Sequence, residues 1–341
     1  MHRLLRMIKD VNSTHKGLGP LVATNILAAK AKKTVLNVSP AGCGKSVATR
    51  TVSNMMEGRS ITFDSLTLAG MYRIQGDVTN FDGHIIVDDL GTEKGLWGRI
   101  STITVLSNLV YGHGVYKITH SYEIKVENFN GSVSLNIQPV LMHSLVQSDE
   151  WISVIRDKVL RYYHLYRPIT PNQEPPDIDL KWGAPTNEVT MTGRGGKLWY
   201  QLVAIGLTQW SFARVEEHLA DMLRATAALD GRDKVKSADY HLLIKLLRPI
   251  QLERYIVETY GFEQGRVFEN NLYCVLVEIA SFGEPTLNTI CEDYKVSPTT
   301  ARRLIETVPN WAFVKTNSPS RVAATDKARE LLDICGVYDK W

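Results

Sequence analysis

Apolar and polar positions along the chain follow two periods. TVLNV (34–38) is an apolar, β-rich run, and so is the IIV of HIIVDDLG (84–91). Neither alternates, which is the mark of strands buried on both faces of a parallel sheet. GVYKITHSYEIKVENF (114–129) does alternate and reads as two strands. GSVSLNIQP (131–139) reads as a strand ending at Asn136, followed by a proline. VATRTVSNMM (47–56) reads as a helix, and the spacing of Val215, Leu219, Met222, Leu223 and Ala227 predicts another.

Two stretches break this pattern. RPITPNQEPPDIDLKWGAPTNEVTMTGRGG (167–196) is rich in Pro, Gly and polar residues and lacks periodicity, so it reads as an extended linker that wraps a neighbour or stays mobile. The segment 261–341 reads as a separate unit. Helices are expected at 270–283, 285–296 and 297–308, the last with Ser297 as N-cap and Pro298 at its first position. A β-hairpin over 311–325 and a closing helix, DKARELLDIC, follow. Three helices and a hairpin in that order resemble a winged helix-turn-helix. In that fold Thr299, Thr300, Arg302 and Arg303 would face DNA, with Lys315 and Arg321 on the wing. The segment holds 9 Lys+Arg against 11 Asp+Glu, which leaves a protein-docking role open beside DNA contact.

Composition narrows the class. With 341 residues, 44% hydrophobic and 22% charged, the chain has room for two or three globular domains. It holds no apolar run long enough to span a bilayer and no secretion signal, so a cytoplasmic place without membrane partners is expected. Four scattered cysteines, Cys43, Cys274, Cys291 and Cys335, argue against both a disulfide framework and a zinc site. A net charge of +3 selects no partner.

The candidate chemistry begins at NVSPAGCGKSVATR (37–50). The pattern GxxxxGK[ST] would start at Ser39, which replaces the leading glycine, but Gly42, Gly44, Lys45 and Ser46 are in place. Backbone N–H groups of 42–46, Cys43 included, would hold phosphates. Lys45 would reach the β/γ-phosphates, and Ser46 would offer its hydroxyl to Mg²⁺. About 40 residues on, Asp88 ends a strand where ligands bind in such sheets, and is assigned to Mg²⁺ through water. Asp89 is the candidate base for the attacking water, with Glu93 as an outside candidate. Without an NKxD motif ATP is expected over GTP, and without an H-R-D loop a protein kinase is not expected.

With both motifs in place the chain resembles the AAA+ ATPases, an α/β P-loop fold of a parallel sheet flanked by helices. VDDLGTE is similar to the second acidic motif of DnaC-type helicase loaders. Other stretches are similar to the minichromosome maintenance (MCM) helicases and their relatives. The resemblance makes Asn136 the sensor 1 residue that helps orient water. It makes the hairpin before it a DNA-contacting insert through Lys117, His120 and Lys125, which read equally well as scattered charge on a solvent-facing hairpin. It places a helix over 153–168 presenting an arginine finger to a neighbouring subunit, Arg156 first and Arg161 second. SFARVEE looks like the sensor 2 stretch, with Arg214, and VKSADYHLLIKLL like the last lid helix, with Ser237 as N-cap. Residues 34–250 are covered. The departures are Ser39, the shorter acid at 89, and the presence of only about 33 residues before the first strand, which leaves no room here for an N-terminal DNA-binding collar.

The expected organisation is therefore an N-terminal helical segment (1–33), an ATPase core (34–166), the linker (167–196), a helical lid (197–260) and the winged helix (261–341). The resemblance implies an ATP- and Mg²⁺-dependent hexameric DNA motor or remodeller in replication of a mobile element or phage. The alternative is an ATP-gated DNA-binding switch: a helicase loader, initiator or transposition regulator without unwinding activity. A non-enzymatic DNA-binding regulator is a third reading, opposed by the intact Gly44-Lys45-Ser46 and Asp88-Asp89.

Overall fold

In the computed structural model five strands form one parallel sheet in the order β2-β3-β6-β1-β7. They are β1 (Thr34–Val38), β2 (Ser60–Phe63), β3 (His84–Val87), β6 (Ser132–Ile137) and β7 (Val159–Tyr163). The structure describes residues 1–253 apart from 57, 93–94 and 166–171. Beyond 253 it describes 286–294, 297–299, 302, 313–317, 320–324, 326–334 and 341.

The sheet is buried on both faces, as the unbroken apolar runs require. Val35, Leu160 and Tyr162 point into one core, together with α1 (Arg3–Thr14), α2 (Gly19–Lys30) and α3 (Lys45–Met55). The same core takes in α7 (Lys197–Gly206), α8 (Phe212–Leu229) and α9 (Ser237–Leu247). Leu36, Val38, Ile85, Val87, Leu135 and Tyr163 point into the other core, against α5 (Leu96–Tyr111) and α6 (Pro139–Val146). The first core runs across the expected boundaries at 33/34 and 196/197. Its centre is α2, where Leu21, Ile26 and Leu27 are fully buried. A helix that is apolar all round belongs inside a protein, and each such side chain contributes about 1.5–3 kcal/mol.

Chain order explains where a ligand fits. From β1 the chain crosses to the edge strand β2, returns through β3 and β6 to the side of β1, then crosses to β7. The direction of travel switches at β1, and the crevice at the C-terminal ends of the strands opens there.

The alternating run forms the expected hairpin, β4 (Val115–Ile118) against β5 (Glu123–Val126), as a separate antiparallel pair. Ile124 and Val126 are buried, while Tyr116 and Ile118 are 63% and 66% exposed.

Three expectations change. The described part of 153–168, residues 153–165, is not an α-helix. A π-helical turn (Trp151–Ile155) and a 3-10 turn (Arg156–Lys158) lead directly into β7. The arginine at the middle of VLRYY hid a strand, because Arg161 is fully buried and its charge is matched by Glu253. The described part of the linker neither wanders nor leaves the chain. Leu180 and Val189 are buried in the first core, and Thr190 N–H donates to Asp233 O at 2.8 Å. Ser237 is the first residue of α9 rather than its cap, and Asp239 accepts from Lys236 N–H at 2.7 Å.

In the C-terminal segment the structure describes helix Leu287–Tyr294, the hairpin Phe313–Asn317 with Ser320–Ala324, and helix Asp326–Ile334. The expected helix 270–283, most of 297–308, and Cys274 and Cys335 lie outside the described residues, as does Glu93. Helix Asp326–Ile334 docks on the rest of the chain through an ion pair between Asp333 and Arg248.

Candidate phosphate-binding site

The turn after β1 is built around two residues in the left-handed region, Gly42 (φ +76°) and Gly44 (φ +86°). A side chain at Gly44 would also meet Leu18 Cδ1 at 2.7 Å, so two separate constraints demand glycine there. Ser39, at the position of the missing glycine, is not in that region. Its N–H donates to Ile137 O at 3.1 Å and it is fully buried, so nothing in its backbone calls for glycine.

Gly44 caps α3, whose first residue is Lys45. The N–H groups of the first turn and the positive end of the helix face one cleft of about 290 Å³. It is lined by Gly42, Gly44, Lys45 and Ser46 of the loop, and by Asp88 and Asp89 after β3. The Lys45 ammonium lies across its own loop, donating to Ser39 O and to Pro40 O, the latter at 2.9 Å. The Cys43 side chain is buried near Leu18 and His164 outside this cleft, and the expectation for Cys43 concerned its backbone N–H. Only its backbone serves the loop.

Asp88 and Asp89 are held differently. Asp88 Oδ1 accepts from Asn136 Nδ2 at 2.8 Å. Asp89 Oδ1 accepts from Gly91 N–H at 2.6 Å, inside its own turn. Asn136 does not line the cleft. It is buried behind Asp88 on the neighbouring strand, and its amide nitrogen also reaches Thr49 Oγ1 at 3.5 Å.

The orientation of Asn136 is set from behind by residues that the sequence reading missed. Asn37 Nδ2 donates to Asn136 Oδ1 at 2.9 Å and to Asn25 Oδ1 at 2.9 Å. Asn25 Nδ2 donates to Asn37 Oδ1 at 3.0 Å and to Leu21 O at 2.9 Å, and Ser134 donates to Asn25 Oδ1 at 2.9 Å. All four residues are buried. A carboxylate only accepts, so Asn136 must turn its nitrogen to Asp88 and its oxygen to Asn37, and the rest of the chain of amides follows. The signal was present: an Asn inside TVLNV and another inside VATNILAA are polar residues in runs that must be buried, and such residues need partners.

The donor set fits a magnesium nucleotide. Ser46 and the aspartates supply hard oxygens, and Asp88 Oδ2 has no protein partner among the described residues. Among the described residues no group of three or more His, Cys, Asp or Glu side chains is placed to hold a metal by itself.

The remaining candidates lie elsewhere. Arg156 precedes β7, at the end of the sheet opposite the loop, because Thr34 pairs with Val159 and Val38 with Tyr163 in parallel. Five residues of strand separate the two ends by about 13 Å. Arg156 Nε donates to Gln209 O at 3.1 Å. Within one chain it does not reach the phosphate cleft. Arg161 is excluded as a finger: it is fully buried and gives Glu253 two hydrogen bonds, at 2.7 and 2.8 Å. Arg214 pairs with Glu217 at 3.1 Å and lies 4.6 Å from the Tyr111 ring, also away from the cleft. On the hairpin Lys125 pairs with Glu127 at 3.2 Å, Lys117 is half-buried and His120 exposed. Thr299 and Arg302 are exposed, Thr300 and Arg303 lie outside the described residues, and Lys315 and Arg321 lie on the two strands of the C-terminal hairpin.

Gln138 and Gln173 complete the cleft and were not anticipated. Gln173 comes from the start of the linker, tied down where Gln173 O accepts from Arg50 Nη2 at 3.3 Å and Glu174 O meets His15 Nε2 at 2.5 Å. No helix of the described residues is long and apolar enough to cross a membrane. No protein-family model matches the chain, and no curated protein matches it.

Proposed function

We propose that the chain is a magnesium-dependent ATPase of the AAA+ type that acts as an oligomeric DNA motor or remodeller. The observation that carries the reading is the single cleft shared by Gly42, Gly44, Lys45, Ser46, Asp88 and Asp89 at the switch point of a parallel sheet. In it the loop N–H groups and Lys45 hold the phosphates. Ser46 and Asp88 would hold a magnesium ion, whose charge would offset that of the phosphates. Asn136 fixes Asp88, and Asp89, the other carboxylate on the cleft, is the candidate base for the attacking water. The finer assignments belong to the same proposal: hexameric ring, MCM-like helicase, lid, winged helix and a replication role.

The place of Arg156 supports an assembly. It stands at the far end of its own sheet, so a finger role requires a second copy. Steady-state ATP hydrolysis with and without DNA, beside Lys45→Ala and Arg156→Ala, tests this. DNA-stimulated turnover lost in both variants supports the motor.

A second reading, the ATP-gated switch, has its own observation. Asp89 Oδ1 is engaged by Gly91 N–H at 2.6 Å inside its own turn, so that oxygen is occupied rather than open to an attacking water. Negligible turnover with ATP-dependent DNA binding would favour it.

A further inference from the structure

A second cleft, of about 730 Å³, lies at the opposite end of the sheet from the phosphate loop. Its walls include Lys32, Arg59, Gly83 and Gly131, which stand just before β1, β2, β3 and β6. Four parallel strands therefore begin at this cleft, while the phosphate loop leaves β1 at its other end.

Three cations converge on it. Arg59 is exposed and makes no side-chain hydrogen bond or ion pair among the described residues. Lys32 is held in the left-handed region (φ +52°), with its ammonium on Asn130 Oδ1 at 2.5 Å. Lys30 is 5% exposed. Its ammonium donates to Gly183 O at 3.3 Å and sits 5.2 Å from the Trp182 ring centroid. No carboxylate lies within ion-pair distance of Lys30 among the described residues. Burial, then the charges of Lys32 and Arg59, push its ammonium down to about 8. The acid on the cleft is Asp82, exposed and 3.8 Å from Lys32. Positive charge gathered around a buried ammonium without a counter-ion is unfavourable unless an anion joins it.

The position of the cleft says which anion. His113 and Asn130 line it, and they stand two residues before β4 and four residues after β5. The hairpin thus rises from the rim of the cleft and carries two outward apolar side chains, Tyr116 and Ile118. Its own charges are nearly balanced, with Lys125 paired to Glu127. Exposed aromatic and apolar side chains beside a cationic cleft are the two parts of a single-strand platform, one for bases and one for phosphates.

We propose that this cleft binds phosphates of a single nucleic-acid strand, with Arg59 and Lys32 as the contacts and Lys30 as the fixed charge behind them. The inference stands without the ATPase reading, because none of its residues touches the phosphate loop.

The test is anisotropy of a fluorescein-labelled oligothymidylate titrated with the full chain across a salt series, without nucleotide or magnesium. Arg59→Glu alters an exposed side chain. Lys32→Asn suits a left-handed backbone. Each is expected to weaken binding about tenfold and to flatten the salt dependence by about 0.7, the loss of one phosphate contact. Lys125→Ala is expected to have the smaller effect. Unchanged affinity and slope in both Arg59→Glu and Lys32→Asn would overturn the proposal. So would displacement of the strand by thymidine monophosphate as effectively as by unlabelled strand at equal phosphate, which would make the cleft a site for free nucleotides. Neither outcome depends on whether the chain hydrolyses ATP.

Discussion

Asn136 donates its amide N–H to Asp88 Oδ1 at 2.8 Å while its oxygen accepts from Asn37 at 2.9 Å. The pair joins the strand end expected to meet magnesium to a buried amide chain reaching α2. A buried amide held on both sides cannot rotate without leaving an acceptor against a carboxylate. Asn37→Asp places an acceptor where a donor is needed and should lower kcat about 10–100-fold with little change in KM, as loss of an outer support does. Asn37→Ser, which restores a donor, should recover part of the loss. A merely destabilised fold would show equal losses in both, together with a lowered Tm.

Ser39 is not strained, and that sets a second expectation. Ser39→Gly, which restores the complete phosphate-loop pattern, should leave kcat/KM within about twofold and lower stability by about 0.5–1 kcal/mol through backbone entropy. Gly44→Ala should abolish nucleotide binding, since φ is +86° and Leu18 lies in the way. Titration of both variants with a fluorescent ATP analogue reads the contrast.

The buried pair Arg161–Glu253 ties β7 to the segment after α9. Tyr163 and Gln209 also donate to Glu253, at 3.1 and 3.2 Å. Removing the carboxylate leaves a buried guanidinium with carbonyl partners but no counter-charge. Glu253→Ala should cost about 3–5 kcal/mol in denaturant unfolding.

Two buried histidines make stability depend on pH. Burial pushes His84 down to about 3. Burial, then the Lys33 charge, pushes His218 down to about 4. Both lie below the unfolded value of 6.5, so the unfolded chain binds the protons first. Their contribution is complete above that value and is lost as pH falls through 6.5 towards 4 and then 3. The slope near pH 5 should be roughly 2–3 kcal/mol per pH unit from the two together. His218→Gln keeps a donor for Asp157 O and should remove about half of that slope. Chemical denaturation between pH 4.5 and 7.5, roughly the span of the linkage, reads it.

Much of the sheet was legible because strands buried on both faces write themselves as unbroken apolar runs: TVLNV and IIV each gave a strand at its observed place. The hairpin was legible from alternation. β7 was not, since a single buried Arg161 in VLRYY reads as surface, and its partner Glu253 is remote in sequence. At the site, the loop and Asp88 follow from local residue types. The amide chain of Asn25, Asn37 and Asn136 depends on which strands are neighbours, and β1 beside β6 is a choice of topology that periodicity does not carry. Gln173 was hidden for the same reason, arriving from a linker with no pattern of its own.

The most direct test of the central claim is steady-state ATP hydrolysis with single-stranded DNA by the intact chain, by Lys45→Ala, by Arg156→Ala and by an equal mixture of the two variants. The account predicts DNA-stimulated turnover in the intact chain, none in either variant, and partial recovery in the mixture, where one intact loop meets one intact arginine across an interface. Turnover by the intact chain no greater than that of Lys45→Ala would contradict it.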